Sequence, residues 1–178
     1  SPQLNHFWIE QFDNVSTEVV VLDNVFNSFQ EIMKGFDCEI AFANSRSRLR
    51  MVTLYQIAQS KNGLVVGTGN KIEDFGVGFY TKYGDGGVDI SPIADCTKTQ
   101  VWEMASEMSI IQDIIEAKPT DGLWDDRRND EKQLGLTYKQ IEEAMDNPSS
   151  KYYKKYLEIR ESSLHKMKPI PVCTFKEK

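Results

Sequence analysis

The sequence predicts an α/β fold, a parallel sheet flanked by helices, on three observations. Val19 to Leu22 is a short, wholly apolar run led by β-branched residues, the composition of a strand buried on both faces of a sheet. Glu39 to Ser60 is helical in character and stops at Gly63, and a second short apolar run, Leu64 to Val66, follows it. Strand, helix and strand in that order form a right-handed crossover. Directly after comes a glycine-rich stretch from Gly67 to Gly87, in the region beyond the strand ends where such sheets bind ligands.

Each element has its own justification. Ser1 to Phe12 places Leu4, Phe7, Trp8 and Phe12 at helical spacing, with Pro2 in the first turn. Val25, Phe26, Phe29, Ile32 and Met33 follow a helical period that ends near Gly35. The glycines from Gly67 to Gly87 predict little regular structure. Thr97 reads as the cap of a helix carrying Val101, Met104 and Met108, and Ser109 with Gln112 has a capping-box pattern for a short one. Thr137 with Gln140 repeats that pattern, with Leu136 set to staple against Ile141. Asp125 to Glu131 has the composition of a solvated loop, and Asn147-Pro148 opens a last helix bearing Tyr152, Tyr153, Tyr156 and Ile159. The tyrosines, His6 and Cys96 are assigned to packing.

Size and charge narrow the function. With 178 residues, 40% of them hydrophobic, the chain can bury a core as one domain spanning residues 1–178. A net charge of −6 argues against nucleic acid or an anionic membrane as partner. Three scattered cysteines, Cys38, Cys96 and Cys173, suggest neither disulfides nor zinc and fit a reduced, cytoplasmic setting. No apolar run is long enough to span a bilayer, and the N-terminus does not have the pattern of a secretory signal.

The chemistry is concentrated in Gly67-Thr68-Gly69-Asn70-Lys71-Ile72-Glu73-Asp74-Phe75 and the following Thr81-Lys82-Tyr83-Gly84-Asp85-Gly86-Gly87-Val88-Asp89. A strand ending in GTGN sets backbone amides, a hydroxyl and then a carboxylate at the ligand edge of a sheet, which suits a nucleotide phosphate. The same residues also suit tight turns with a solvated acidic surface. Both readings stand on the residues alone.

The whole segment GTGNKIEDFGVGFYTKYGDGGVDISPI resembles the central signature of the ammonia-dependent NAD synthetases. Neighbouring landmarks follow in order: Asn44 to Met51 is similar to an arginine-bearing helix, and Lys98, Lys118-Pro119-Thr120 and His165-Lys166 match later positions. The resemblance is close from about Glu39 to Trp124, looser through Asp130-Glu131, Leu134-Gly135 and Tyr138, and weak before Glu39.

That resemblance implies a Rossmann-like, adenine-nucleotide hydrolase-like α/β fold in a homodimer. It implies adenylation of the nicotinate carboxylate of deamido-NAD by ATP with release of pyrophosphate, then displacement of AMP by ammonia, with Mg2+ as cofactor. Ammonia as donor rests on the resemblance alone. Glu73 falls at a magnesium-ligand position, though taken by itself it is equally a surface carboxylate at a helix start. Thr68, Lys98 and Thr120 fall at ATP-binding positions, where hydroxyls bond ribose or phosphate and a lysine neutralises charge. Arg48, Lys82, Asp89, His165 and Lys166 fall at deamido-NAD contacts, each with a plain surface-charge alternative, and Asp85, in the YGDGG turn, is assigned to deamido-NAD binding with ordering of the turn alone as its alternative. Arg46, Arg48 and Arg50 cannot share one helix face, so Arg48 is assigned to substrate and Arg50 to packing or a partner subunit.

One family element does not occur in these residues: an SGGxDS-like loop, which holds ATP phosphates and a second magnesium carboxylate. The expectation is a C-terminal portion of the synthetase whose first sheet strands lie outside it, inactive in adenylation as it stands. The alternative is a non-catalytic, dimerising, nucleotide-binding fragment.

Overall fold

The computed structural model describes residues 12–124 and 129–175. The chain divides into two compact units, Ser1–Phe36 and Asp37–Lys178, described separately. The helix expected over Ser1 to Phe12 lies outside the described residues except for its last position.

In the first unit Val19 to Leu22 forms no strand, and Val19 and Val21 are 80% and 73% exposed. A strand exists through its ladder, and among the described residues nothing pairs with this run. Helix α1, Asp23–Ile32, follows, with Phe26 buried. A single 3₁₀ turn, Lys34–Phe36, ends the unit at the glycine that the sequence marks as a stop.

The second unit begins with α2, Glu39–Ser60, whose bounds agree with the sequence reading. Its stop is built by Asn62, at φ 52°, and by the Gly63 amide, which donates to the Ala58 carbonyl at 2.8 Å. Leu64 to Val66 makes only one parallel bridge, Val66 to Ile90, so no sheet is present among the described residues. Ile40, Val52 and Leu54 on α2, with Leu64 and Val66 beyond it, remain exposed.

The glycine-rich stretch is more regular than its composition predicts, because a π-helix, Ile72–Val77, occupies its middle. Asn70 starts it: this residue is 1% exposed, and its Oδ1 accepts from the amides of Ile72 and Glu73 at 3.0 and 3.1 Å. Gly78, at φ 64°, ends it in the left-handed conformation that glycine adopts without strain. Arg160 closes that end by donating to the carbonyls of Phe75 and Gly76.

Helix α3, Lys98–Glu107, carries the expected capping box between Thr97 and Gln100. Helix α4, Gln112–Ile115, starts after Ile111 rather than at Ser109, which instead takes a positive φ of 55° in the turn between the helices. Helix α5, Asp130–Leu134, was not expected: the Asn129 side chain caps it and Gly135 ends it at φ 71°. Residues 125–128 of the expected solvated loop are outside the described residues, whereas Asp130 is buried. Helix α6, Tyr138–Asp146, has the Thr137–Gln140 capping box, and Leu136 and Ile141 are both buried. Helix α7, Tyr153–Met167, begins after a turn that Asn147 and Ser150 stabilise, so Asn147-Pro148 precedes the helix by that turn.

The core lies between the π-helix, α5, α6 and α7. Ile72, Val77, Leu134, Leu136, Tyr138, Ile141, Ala144 and Tyr156 form it, with Trp102 and Phe79 packed on its edge. This arrangement fixes one wall of the glycine-rich stretch. No helix among the described residues is long and apolar enough to cross a membrane.

Candidate active site

Two adjoining cavities flank the glycine-rich stretch and share Phe79, Asp85, Asp121 and Leu123. The larger, about 600 Å³, is lined by Thr68, Glu73, Asp85, Lys98, Thr120 and Asp130, among others. The smaller, about 230 Å³, has Phe79, Tyr80 and Trp124 as aromatic lining and Lys166 as its cation. The chain thus brings Thr68, Glu73, Lys98 and Thr120 to one cleft from four separate segments.

Glu73 is the centre of the larger cleft. Its Oε1 accepts from Lys98 Nζ at 3.0 Å and from the Tyr138 hydroxyl at 2.7 Å, and both ionic side chains are largely withdrawn from water. Asn70 fixes its backbone from below. Lys98 is placed with equal care: the capping box holds the start of α3, and Glu142 accepts from the Thr99 amide at 2.9 Å and from its hydroxyl at 2.6 Å, tying α3 to α6. Lys98 Nζ also lies 4.9 Å from the centre of the Tyr138 ring.

The Tyr138 hydroxyl is also 3.2 Å from Asp130 Oδ2, so a single phenolic proton stands between two carboxylates. Burial, then Glu73 and Asp130, push the tyrosine's ionisation far above its usual range, and it stays a neutral donor. Burial raises the Asp130 carboxyl to about 6 against the opposing hydroxyl contact, and raises Asp74 to about 6 with help from the charges of Glu73 and Asp85. Gly69 is required beside Asp74, since a Cβ there would collide with the Asp74 carboxylate.

Among the described residues no three metal-ligating side chains stand together. A magnesium ion here would therefore draw most of its oxygens from phosphate and water, the usual arrangement for this cation. The donor set fits that use: Glu73 is a hard oxygen ligand in the cleft, and Asp130 Oδ1 is a buried oxygen with no hydrogen-bond partner.

The remaining predicted residues form a second cluster around residues 80–85. Arg48 Nε donates to the Lys82 carbonyl at 3.2 Å, Lys82 Nζ to the His165 carbonyl at 3.2 Å, and Lys166 Nζ to the Tyr80 carbonyl at 2.8 Å. Burial holds the Lys166 ammonium below its usual value while Asp85 opposes the effect. Asp85 orders its own turn, accepting at Oδ1 from the Ser47 hydroxyl at 2.7 Å and the Thr81 amide at 2.9 Å. Gly84 admits that contact, because a Cβ there would strike Ser47 Oγ. Asp89 lines neither cavity; its oxygens accept from the Val65 amide at 2.8 Å and the Tyr55 hydroxyl at 3.3 Å. Arg48, Lys82 and His165 lie outside both linings, at the exposed rim.

Arg46 and Arg50 prove to have a common task within the chain. Arg46 donates to the Leu123 carbonyl at 3.2 Å and Arg50 to those of Gly122 and Asp121 at 2.8 and 3.4 Å, so both hold the segment that follows Thr120.

Sequence reasoning gave no role to Asn70, Asp130, Tyr138 or Glu142, although Asn70 lies in the quoted signature and Asp130 and Tyr138 in the looser part of the resemblance. Asn70 with Glu73 has capping-box spacing, a signal obscured by the surrounding glycines. Asn129 and Gly135 are likewise start and stop signals for α5. The roles of Tyr138 and Glu142 depend on tertiary packing and left no local signal.

Residues 5–172 match the model of the family described as NAD synthase. The NH(3)-dependent NAD(+) synthetase of Archaeoglobus fulgidus is 36% identical over 166 residues, 90% of this chain and 66% of that protein. The curated relatives are spanned over about half to two thirds of their length. Among solved structures, the NMN synthetase of Francisella tularensis superposes with a TM-score of 0.86 at 28% identity, over 97% of this chain and 73% of that one. The NH3-dependent NAD synthetase of Campylobacter jejuni, at 20% identity, shares the fold with a TM-score of 0.69 over 90% of this chain and 67% of that one. On the family match and on the identity shared along most of its length, this chain belongs to the NAD synthase family.

Proposed function

We propose that the protein containing this chain is an ATP-dependent ligase that converts the carboxylate of deamido-NAD to an amide with ammonia, forming the second half of its active site. The observation that carries the reading is the convergence of Thr68, Glu73, Lys98 and Thr120 on one cleft, next to an aromatic cavity with a half-buried lysine. ATP occupies the larger cavity and the nicotinate ring the smaller one. Lys166 draws the ring's carboxylate to the shared wall.

A carboxylate oxygen of the nicotinate attacks the α-phosphorus of ATP, and pyrophosphate leaves with the electron pair of the broken bond. Ammonia then attacks the acyl carbon and gives up a proton as AMP departs. The protein's part is alignment and charge neutralisation. Thr68 and Thr120 hold ribose or phosphate oxygens, and Lys98 exchanges Glu73 for phosphate as the nucleotide enters. Glu73 would hold a magnesium ion, which would supply further neutralisation of phosphate charge. Arg48, Lys82 and His165 take the outer part of the dinucleotide, with Asp85 keeping the turn in place and Asp89 accepting from hydroxyls. The exposed apolar residues of α2 support a homodimer that joins the two copies beside that outer part, in a cytoplasmic enzyme whose parallel sheet the longer protein completes.

Glu73→Gln in the full-length protein tests the assignment. Turnover to AMP and NAD is expected to fall at least about a hundredfold with deamido-NAD binding little changed, on the scale of losing one group that stabilises transition-state charge. Unchanged turnover at saturating magnesium would remove Glu73 from the metal. A second acceptor, the mononucleotide whose amide is NMN, is suggested by the likeness to the Francisella NMN synthetase at 28% identity. Equimolar competition between deamido-NAD and that mononucleotide decides, by which amide accumulates first.

A further inference from the structure

Asp130 is a carboxylate whose surroundings do not account for it. It is 6% exposed, it lines the larger cleft, and its Oδ1 is buried with no hydrogen-bond partner. Leaving such an oxygen unpaired is costly, and a core position would be better filled by a neutral side chain of the same shape. Its other oxygen meets the Tyr138 hydroxyl at 3.2 Å, and the same hydroxyl lies 2.7 Å from Glu73 Oε1. The nearest oxygens of the two carboxylates are therefore no farther apart than those two distances laid end to end. Glu73 has Lys98 as its counter-ion at 3.0 Å, whereas Asp130 has no ion pair among the described residues.

We propose that Asp130, through Oδ1, is a second oxygen ligand beside Glu73 for a divalent cation that enters with the phosphates of a nucleoside triphosphate. The proposal rests on the ATP-dependent reading above. Two carboxylates held on one hydroxyl, together with phosphate oxygens and water, supply the hard, near-octahedral shell that such a cation takes. Before nucleotide arrives, Lys98 is the resident cation of the pair. When its ammonium turns to phosphate, the negative charge of Glu73 and the unpaired Oδ1 of Asp130 are left for the incoming ion. Tyr138 keeps the carboxylates from drifting apart in the interval, and α5 and α6 hold Asp130 and Tyr138 in a packed core rather than on a loop.

The test is binding of Mn2+, followed by its electron paramagnetic resonance signal, to the full-length protein with α,β-methylene-ATP, whose carbon bridge prevents transfer of the adenylyl group. Asp130→Asn is expected to weaken Mn2+ at least about tenfold, as loss of a ligand or its immediate support does, while metal-free binding of the analogue is unchanged. Asp130→Ser is read the same way should the Asn variant fail to fold. Full Mn2+ affinity in a folded Asp130 variant, with Glu73→Gln still weakened, would overturn this proposal and leave the ATP-dependent reading intact. Full affinity in the variants of both residues would overturn this proposal and remove Glu73 from the metal, whereas failure of the unaltered protein to bind the analogue would overturn the ATP-dependent reading. Failure of both Asp130 variants to fold would assign the carboxyl to the core and overturn the proposal.

Discussion

Asp130→Asn should make the protein more stable at neutral pH. In the folded chain the Asp130 carboxyl titrates at about 6 against an ordinary 3.8, mainly because it is buried. Between those two values the unfolded chain has released a proton that the folded chain still holds. The folded state then binds more protons, so stability falls as pH rises through this window and is flat above it. A displacement of about two pH decades corresponds to roughly 3 kcal/mol at ~1.4 kcal/mol for each. An asparagine retains the shape and can still meet the Tyr138 hydroxyl, but has no charge to desolvate. The expected gain is about 1–3 kcal/mol near pH 7.5, shrinking toward zero near pH 4. Urea denaturation followed by tryptophan fluorescence at both pH values measures it. Asp74, raised to about 6 as well, titrates in the same window, so the variant keeps part of the slope. Equal stabilities near pH 7.5 with an unchanged slope would refute the reasoning.

Two further outcomes follow from local geometry. Thr137→Ala removes one half of the capping box at α6 and should cost about 1 kcal/mol by thermal or urea unfolding; because Leu136 and Ile141 still pack, loss of the fold is not expected. Gly69→Ala drives a Cβ into the Asp74 carboxylate, the two residues being next in sequence to Thr68 and Glu73 of the larger cleft, so calorimetry should find ATP binding weakened by at least about tenfold, or ~1.4 kcal/mol. Gly69→Ala paired with Asp74→Ala should recover much of that loss, and no recovery would place the collision elsewhere.

The helices were the legible part of this sequence, and the reason is local. α2 has its bounds written in a run of helix formers closed by Asn62-Gly63, and α3 and α6 announce themselves through Thr97 with Gln100 and Thr137 with Gln140. Strands cannot be read so safely, because a ladder depends on a partner. Val19 to Leu22 has ideal strand composition and no partner among the described residues, and Val66 finds only Ile90. The glycine-rich segment misled in the opposite sense, since a buried Asn70 organises a π-helix inside it. At the site, Thr68, Glu73, Lys98 and Thr120 were legible through their ordered resemblance to a family. Tyr138 and Asp130 were not, because nothing at positions 130 and 138 tells that a hydroxyl there will meet a glutamate at position 73.

The clasp by which α2 holds residues 121–123 has a consequence for tolerance to mutation. Both guanidinium groups end on main-chain oxygens, and a carbonyl is the same whatever side chain its residue bears. The wall of the cleft beside Thr120 is therefore anchored without regard to the side chain at position 123, while Gly122 is limited by its φ of 62°. The burden falls on the other side: lysine at position 50 would bring charge but not the rigid fork by which Arg50 reaches two oxygens from one head. Sequence drift in this wall leaves the anchor standing, whereas a conservative exchange of Arg50 on the helix would leave it to Arg46 alone.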